Sequence, residues 1–234
     1  ENQITGKDFK AAAGSAGVIG LGAAVAYMDV TGTTQILIGS TGSISAANGI
    51  LTEANLIIRV NPTADGYGVG WASAGMAASR LKVTGKTLIT AARGSSFTSA
   101  NGDVKLAAYQ TITSKATTKA AGGGYVGSGA AALAFVDIEG ETKVDSAANV
   151  NAANGTYSLL AQQIINAAVE SQGLAVAVGG AIGAAVARLN IKPVIAASVS
   201  GGTINAKNLV VKALFNVKND ADYPETGKME SNAY

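Results

Sequence analysis

The chain contains no cysteine and no histidine. Without them there is no disulfide framework, no thiolate or imidazole nucleophile–base pair, and no ordinary zinc site. A secreted protein can lack cysteine, so the absence does not assign a compartment. Charge is also scarce: Asp, Glu, Lys and Arg make up 14% of 234 residues, against roughly a quarter in ordinary globular chains. The formal charge is +2 and the pI about 8.8, but the lysines are scattered and no basic block with interleaved aromatics occurs, which argues against nucleic acid as a partner. Aromatics are 5% while hydrophobic residues reach 48%, because 46 residues are alanine; 30 more are glycine. Such side chains bury little area each, so a rounded core would struggle against conformational entropy. A thin structure dense in backbone hydrogen bonds suits them better.

What the chain does have is a repeat. Asp29-Val30-Thr31-Gly32, Lys82-Val83-Thr84-Gly85, Asp137-Ile138-Glu139-Gly140 and Asn190-Ile191-Lys192-Pro193 recur about every 53 residues, each read as the turn that closes an Ala-rich run. A second anchor keeps the same period: Ile44–Gly49, Phe97–Gly102, Val150–Gly155 and, in the last copy, Ile204–Asn208. The division is a repeat tail at 1–16, repeats at about 17–69, 70–121, 122–173 and 174–225, and the start of another at 226–234. The ends resemble the interior of a repeat, with no capping segment and no signal peptide in Glu1–Lys7. The expectation is one segment of a longer chain.

Inside each repeat the apolar period is two. Ala24, Met28 and Val30 share a face with one another, as do Leu81 and Val83, Val136 and Ile138, and Leu189 and Ile191; these form the expected core column. The opposite face varies, and Val25, Tyr27, Leu133, Phe135 and Val186 form an apolar stripe that a neighbouring chain or a folded-over loop is expected to cover. Asn48, Asn101, Asn154 and Asn208 are assigned to stacked corners, where Asn-Gly tolerates positive φ. Residues 157–170 also fit a helical period, yet their counterparts are Thr- and Val-rich, so strand is expected there too. A single extended turn of 53 residues would enclose a perimeter of roughly 150 Å, which alanines could not fill at close-packed density. Two coils per repeat are therefore expected, although the alternation Tyr27-Arg80-Phe135-Arg188 looks like direct neighbour pairing.

Chemistry is hard to find. Gly122, Gly124 and Gly127 spell a dinucleotide fingerprint, but the following segment reads as strand, not helix. Gly85-Lys86-Thr87 resembles the end of a phosphate loop, yet Arg80 stands where the motif needs glycine. Asp220, Asp222 and Glu225 cluster without the spacing of a calcium loop. Asp29 and Asp137 fall in one column, interrupted by Lys82, with no second acidic column for polysaccharide cleavage. The runs Gly14–Val30 and Gly173–Ile191 approach the length of a membrane helix, but the matching second-copy run carries Ser73, Ser79 and Arg80. No cofactor, no metal site, no catalytic residue and no membrane insertion of this segment are expected.

Gly183-Ala184-Ala185-Val186-Ala187, followed by Ile204-Asn205-Ala206-Lys207-Asn208-Leu209-Val210-Val211-Lys212-Ala213, resembles the strand repeats of large secreted adhesins, the filamentous-haemagglutinin and leukotoxin-type surface proteins of Gram-negative bacteria. The resemblance implies an all-β, right-handed parallel β-helix (β-solenoid) at the cell surface or outside the cell. The expected role is structural and adhesive, a stalk or filament segment without catalysis. Its partners would be other copies or segments of the same protein, or a surface receptor. A self-assembling extracellular filament subunit and a carbohydrate-active β-helix enzyme are the alternatives.

Overall fold

A computed structural model describes residues 2–6, 9–217 and 229–233. The Asp220, Asp222, Glu225 cluster and Thr226-Gly227-Lys228 lie outside the described residues. Among these residues there is no helix. The strands are β1 (Asn2–Thr5), β2 (Phe9–Ile38), β3 (Ser43–Ala46), β4 (Ile50–Val60), β5 (Pro62–Ala91), β6 (Ser96–Ser99), β7 (Val104–Ser146), β8 (Asn149–Ala177), β9 (Ala181–Val199), β10 (Ile204–Phe215) and β11 (Met229–Ala233). The segment around 157–170 is strand, within β8. The two runs weighed as membrane helices are strands of β2 and of β8–β9.

Every ladder is parallel, and every partner lies 52 to 55 positions away, or 62 for β11. Phe9 pairs with Pro62 and Ile38 with Ala91; Val104 pairs with Tyr157. One period of the sequence is thus one layer of the stack, and the expectation of two coils per repeat is corrected. A perimeter of that length has a large interior only if the cross-section is rounded. Instead the layer is flattened, so that its two long legs face each other and little interior remains to be filled.

The inward residues grade along those legs. At the broad end Phe97, Leu106, Ile89, Val144, Tyr157 and Leu159 pack together. In the middle Leu56, Ile58 and Val60 meet Leu81, Val83, Val136 and Ile138. Beyond them the apolar filling is alanine, namely Ala24, Ala26, Ala64, Ala77, Ala120 and Ala132, with Ser79, Thr118 and Ser171 buried in the same columns. Past the alanines, glycine backbones touch. A methyl group on Gly66 would sit 1.8 Å from the Met76 carbonyl oxygen, and one on Gly22 would sit 1.8 Å from that of Tyr67. The layer is a wedge, and its Ala and Gly content follows from the taper.

Thr-Gly in the first anchor is not a turn. Gly32, Gly85 and Gly140 lie inside β2, β5 and β7 and stack on one another by register. They face the opposite leg, where a methyl on Gly85 would be 2.7 Å from the Gln110 amide nitrogen. Gln110 pairs with Leu56 and with Gln163, and the buried Gln163 amide donates to the Gln110 side-chain oxygen. Glycine there makes room for long side chains from across the core. Pro193 occupies the fourth position of that column on β9, which among the described residues has a partner on one side only, where a missing N–H is tolerated.

Of the expected core column, Leu81, Val83, Val136 and Ile138 are fully buried and Ala24 nearly so. Met28, Val30, Leu189 and Ile191 pack against the same cluster but are half-covered, since they sit in the outermost layers. At the broad end the corner asparagines are exposed. Asn154 donates to the Ala100 carbonyl at 3.2 Å, but no hydrogen bonds link the four asparagine side chains among the described residues. Asn208 pairs beside Thr156, after a register shift. A stack of asparagines is therefore not what closes the corner. Glycines do: Gly49 has φ of 137°, and a methyl on Gly102 would strike the Asn48 carbonyl oxygen at 2.0 Å.

The taper makes opposite forecasts for two glycines. Gly66→Ala, forced into a backbone carbonyl, costs about 2–4 kcal/mol or prevents folding. Gly123→Ala, with nothing within 4 Å of the new carbon, is neutral or stabilising by about 0.5 kcal/mol. Denaturant titration of both variants checks this.

Tyr157 supplies a second check. Its hydroxyl donates to Ser146 Oγ at 2.6 Å, and burial raises its pKa above the usual value near 10, with Asp145 adding to the rise. Its contribution is therefore complete below pH 10 and is lost as pH climbs toward the folded value. Tyr157→Phe should cost about 1 kcal/mol at neutral pH and show a smaller loss of stability above pH 10 than the parent chain.

Candidate functional site: an aromatic and arginine ladder

The outward face of the returning leg carries the most developed site. In β2, β5, β7 and β9 the residues that alternate with the alanine column point to solvent, so the stack aligns them in rows. Tyr27 pairs with Arg80, Arg80 with Phe135, and Phe135 with Arg188. The rungs, spaced about 4.8 Å apart, thus alternate aromatic and arginine residues along one outward row. The next row outward is Asp29, Lys82, Asp137 and Asn190, and the row toward the thin edge is Val25, Ala78, Leu133 and Val186.

These rows border a groove of about 620 Å³ lined by Val25, Tyr27, Arg80, Phe135, Asp137 and Arg188. Val25 is 69% exposed, Tyr27 55%, Leu133 38% and Val186 46%; Phe135 is half-buried. Among the described residues no loop folds over the stripe. Asp137 is held from two sides, by Asn190 Nδ2 at 3.1 Å and Arg80 at 3.8 Å. Arg80 and Arg188 were not marked by sequence reasoning as contact residues. Their signal was the alternation itself, legible once the register is one period.

Chemically the groove offers ring faces, two planar cationic forks and one carboxylate. That set suits a ligand with apolar surface and hydrogen-bond acceptors. The carboxylates are placed less well for acid–base work. Asp29 and Asp137 are separated along the stack by the Lys82 rung, and Asp137 is engaged by its neighbours. A second groove of about 310 Å³ contains Lys86, Glu139, Glu141 and Lys192. There Glu141 bonds Lys143 at 2.6 Å and Lys86 at 3.4 Å. The hydrogen bond from Lys143 acts most strongly and burial opposes it next. The Lys143 charge and the hydrogen bond and charge of Lys86 add to the lowering, so its carboxyl lies below the ordinary range. Glu141 is thus an anchor for cations, not a proton donor. Among the described residues no group of three metal-ligating side chains comes together.

Gly122 and Gly124, of the dinucleotide-like spacing, lie where backbones touch across the thin edge: a methyl on Gly124 would be 2.2 Å from the Gly127 carbonyl oxygen. Gly85-Lys86-Thr87 is mid-strand in β5. Neither forms a phosphate cradle. No protein-family model, no curated protein and no solved structure matches the chain.

Proposed function

We propose that this chain is a segment of a right-handed parallel β-helix that serves as an elongated, non-catalytic adhesive or stalk protein at a cell surface or outside the cell. The observation that carries the reading is the register: each layer is one sequence period and repeats its neighbour's backbone bonds. Such a body lengthens by adding periods and needs no new core. Cross-layer pairs support that design. Lys86–Glu141, Lys115–Glu170 and Lys192–Glu139 join neighbouring layers at 3.0 to 3.5 Å. Each is worth little alone, but together they penalise slippage along the stack. The repeat style, which resembles that of filamentous-haemagglutinin and leukotoxin-type adhesins, fits the same role. In this reading the groove beside Tyr27, Arg80, Phe135 and Arg188 is the adhesive contact, for another segment or copy or for a receptor.

A second reading is favoured by one feature. Among the described residues β2 pairs only with β5 and β9 only with β7, and strands paired on one side are templates for further strands. This suits a subunit that polymerises end to end. A carbohydrate-active enzyme is less well supported, because the acids are tied to cations or separated by Lys82.

Small-angle X-ray scattering over a concentration series distinguishes the first two readings. A fixed length and cross-section at all concentrations is expected for a stalk segment. A length that grows with concentration supports the assembling subunit instead.

A further inference from the structure

The thin edge of the wedge reverses the usual arrangement of a strand. Glycine and alanine point inward and the large residues point out, as in Gly66-Tyr67-Gly68-Val69-Gly70-Trp71. Residues 11–28, 66–79, 120–136 and 171–187 carry no charge at all, and the layers align them into one blade. One broad face presents Tyr67, Val69, Leu174 and Val176; the other presents Leu21, Met76, Val25 and Ile182, all exposed. The rim itself is Val18, Trp71, Tyr125, Val126 and Val178, with exposures of 58 to 79%. The rings of Trp71 and Tyr125 lie with centroids 5.5 Å apart, tilted by 55° to each other.

We propose that this blade is a lipid-contacting wedge that dips its rim into the surface of a zwitterionic phospholipid membrane. Three observations select that occupant. The apolar surface continues over one face, the rim and the other face. A second copy laid against the blade covers one face, whereas a fluid layer closes around all three. The charged residues that bound the blade are balanced: Lys10, Arg80, Lys119 and Arg188 against Asp29, Asp65, Asp137 and Glu170. Two of these pairs are already joined, Lys10–Asp65 at 3.1 Å and Arg80–Asp137 at 3.8 Å, so the collar favours a surface without net charge. Finally, Trp and Tyr at the rim are the side chains that prefer the headgroup level of a bilayer.

Depth follows from the same geometry. Asp65 to Trp71 is about 20 Å of extended chain, which sets the limit of entry at the collar. Entry to the headgroup–acyl boundary, roughly 5–10 Å, lies within that limit. The sequence argument against membrane insertion concerns a spanning helix and does not address a wedge of this kind. The inference stands whether or not the chain is a stalk.

Trp71 is the only tryptophan and reports on the rim directly. With phosphatidylcholine vesicles its emission is expected to shift to the blue, to be quenched by lipids brominated on the acyl chain, and to change little with added salt. Val126→Glu combined with Val178→Glu, at positions open to water, should keep the β-sheet circular dichroism and weaken vesicle binding at least about ten-fold. Emission that ignores vesicles overturns the proposal. So does a blue shift that depends on protein concentration without lipid, which would assign the blade to a second copy.

Discussion

Parallel backbone hydrogen bonding between residues one period apart is the constraint from which the rest of the structure follows. Once Phe9 lies on Pro62 and Val104 on Tyr157, each side chain lies on its counterpart about 4.8 Å away. Inward positions must then tolerate their own kind as neighbours. Apolar, amide and hydroxyl columns do so, as Thr118 and Ser171 show with a buried bond of 3.1 Å. Outward positions are freer, except that like charges cannot stack without cost, and opposite charges accordingly occupy adjacent layers.

The second constraint is width. The two legs of a layer converge, so residue size must fall from Phe97 and Tyr157 through Leu81 and Val83 to alanine and finally to glycine. This grading explains how a chain so rich in small residues holds together: area lost per side chain is offset by backbone ladders that are almost continuous. It also explains the blade. Where the legs touch there is no interior left, and any large residue has to face outward.

Much of this was legible in the sequence. The period, the two-residue alternation and the inward column from Ala24 to Ile191 depend on local spacing, which sequence preserves. Other features depend on what lies across the core, which local spacing does not carry. Gly32, Gly85 and Gly140 look like turn residues because Thr-Gly ordinarily is one; their role is visible only when Gln110 and Gln163 stand opposite. The corner asparagines suggested a ladder, but a register shift at Ala206 and Asn208 breaks it, and sequence spacing alone did not reveal a slip of that size. The outward stripe at Val25, Tyr27, Leu133, Phe135 and Val186 was recognisable from its variability. The rim residues Val18, Trp71 and Tyr125 were not, since large apolar residues ordinarily mark an inward face.

The one-period register is the central claim, and a chain without cysteine allows it to be measured by cross-linking. Ala23 and Met76 pair directly across adjacent layers and have no charged neighbours in their rows. Converted together to cysteine, they fall within the roughly 4.4–6.8 Å between α-carbons that a disulfide requires, and mild oxidation should join them rapidly within one chain. A pair half a period apart, Ala23→Cys with Gly49→Cys, should remain reduced under the same conditions. Rapid closure of the half-period pair, with the Ala23–Met76 pair left open, would contradict the register and with it the wedge, the ladder and the blade.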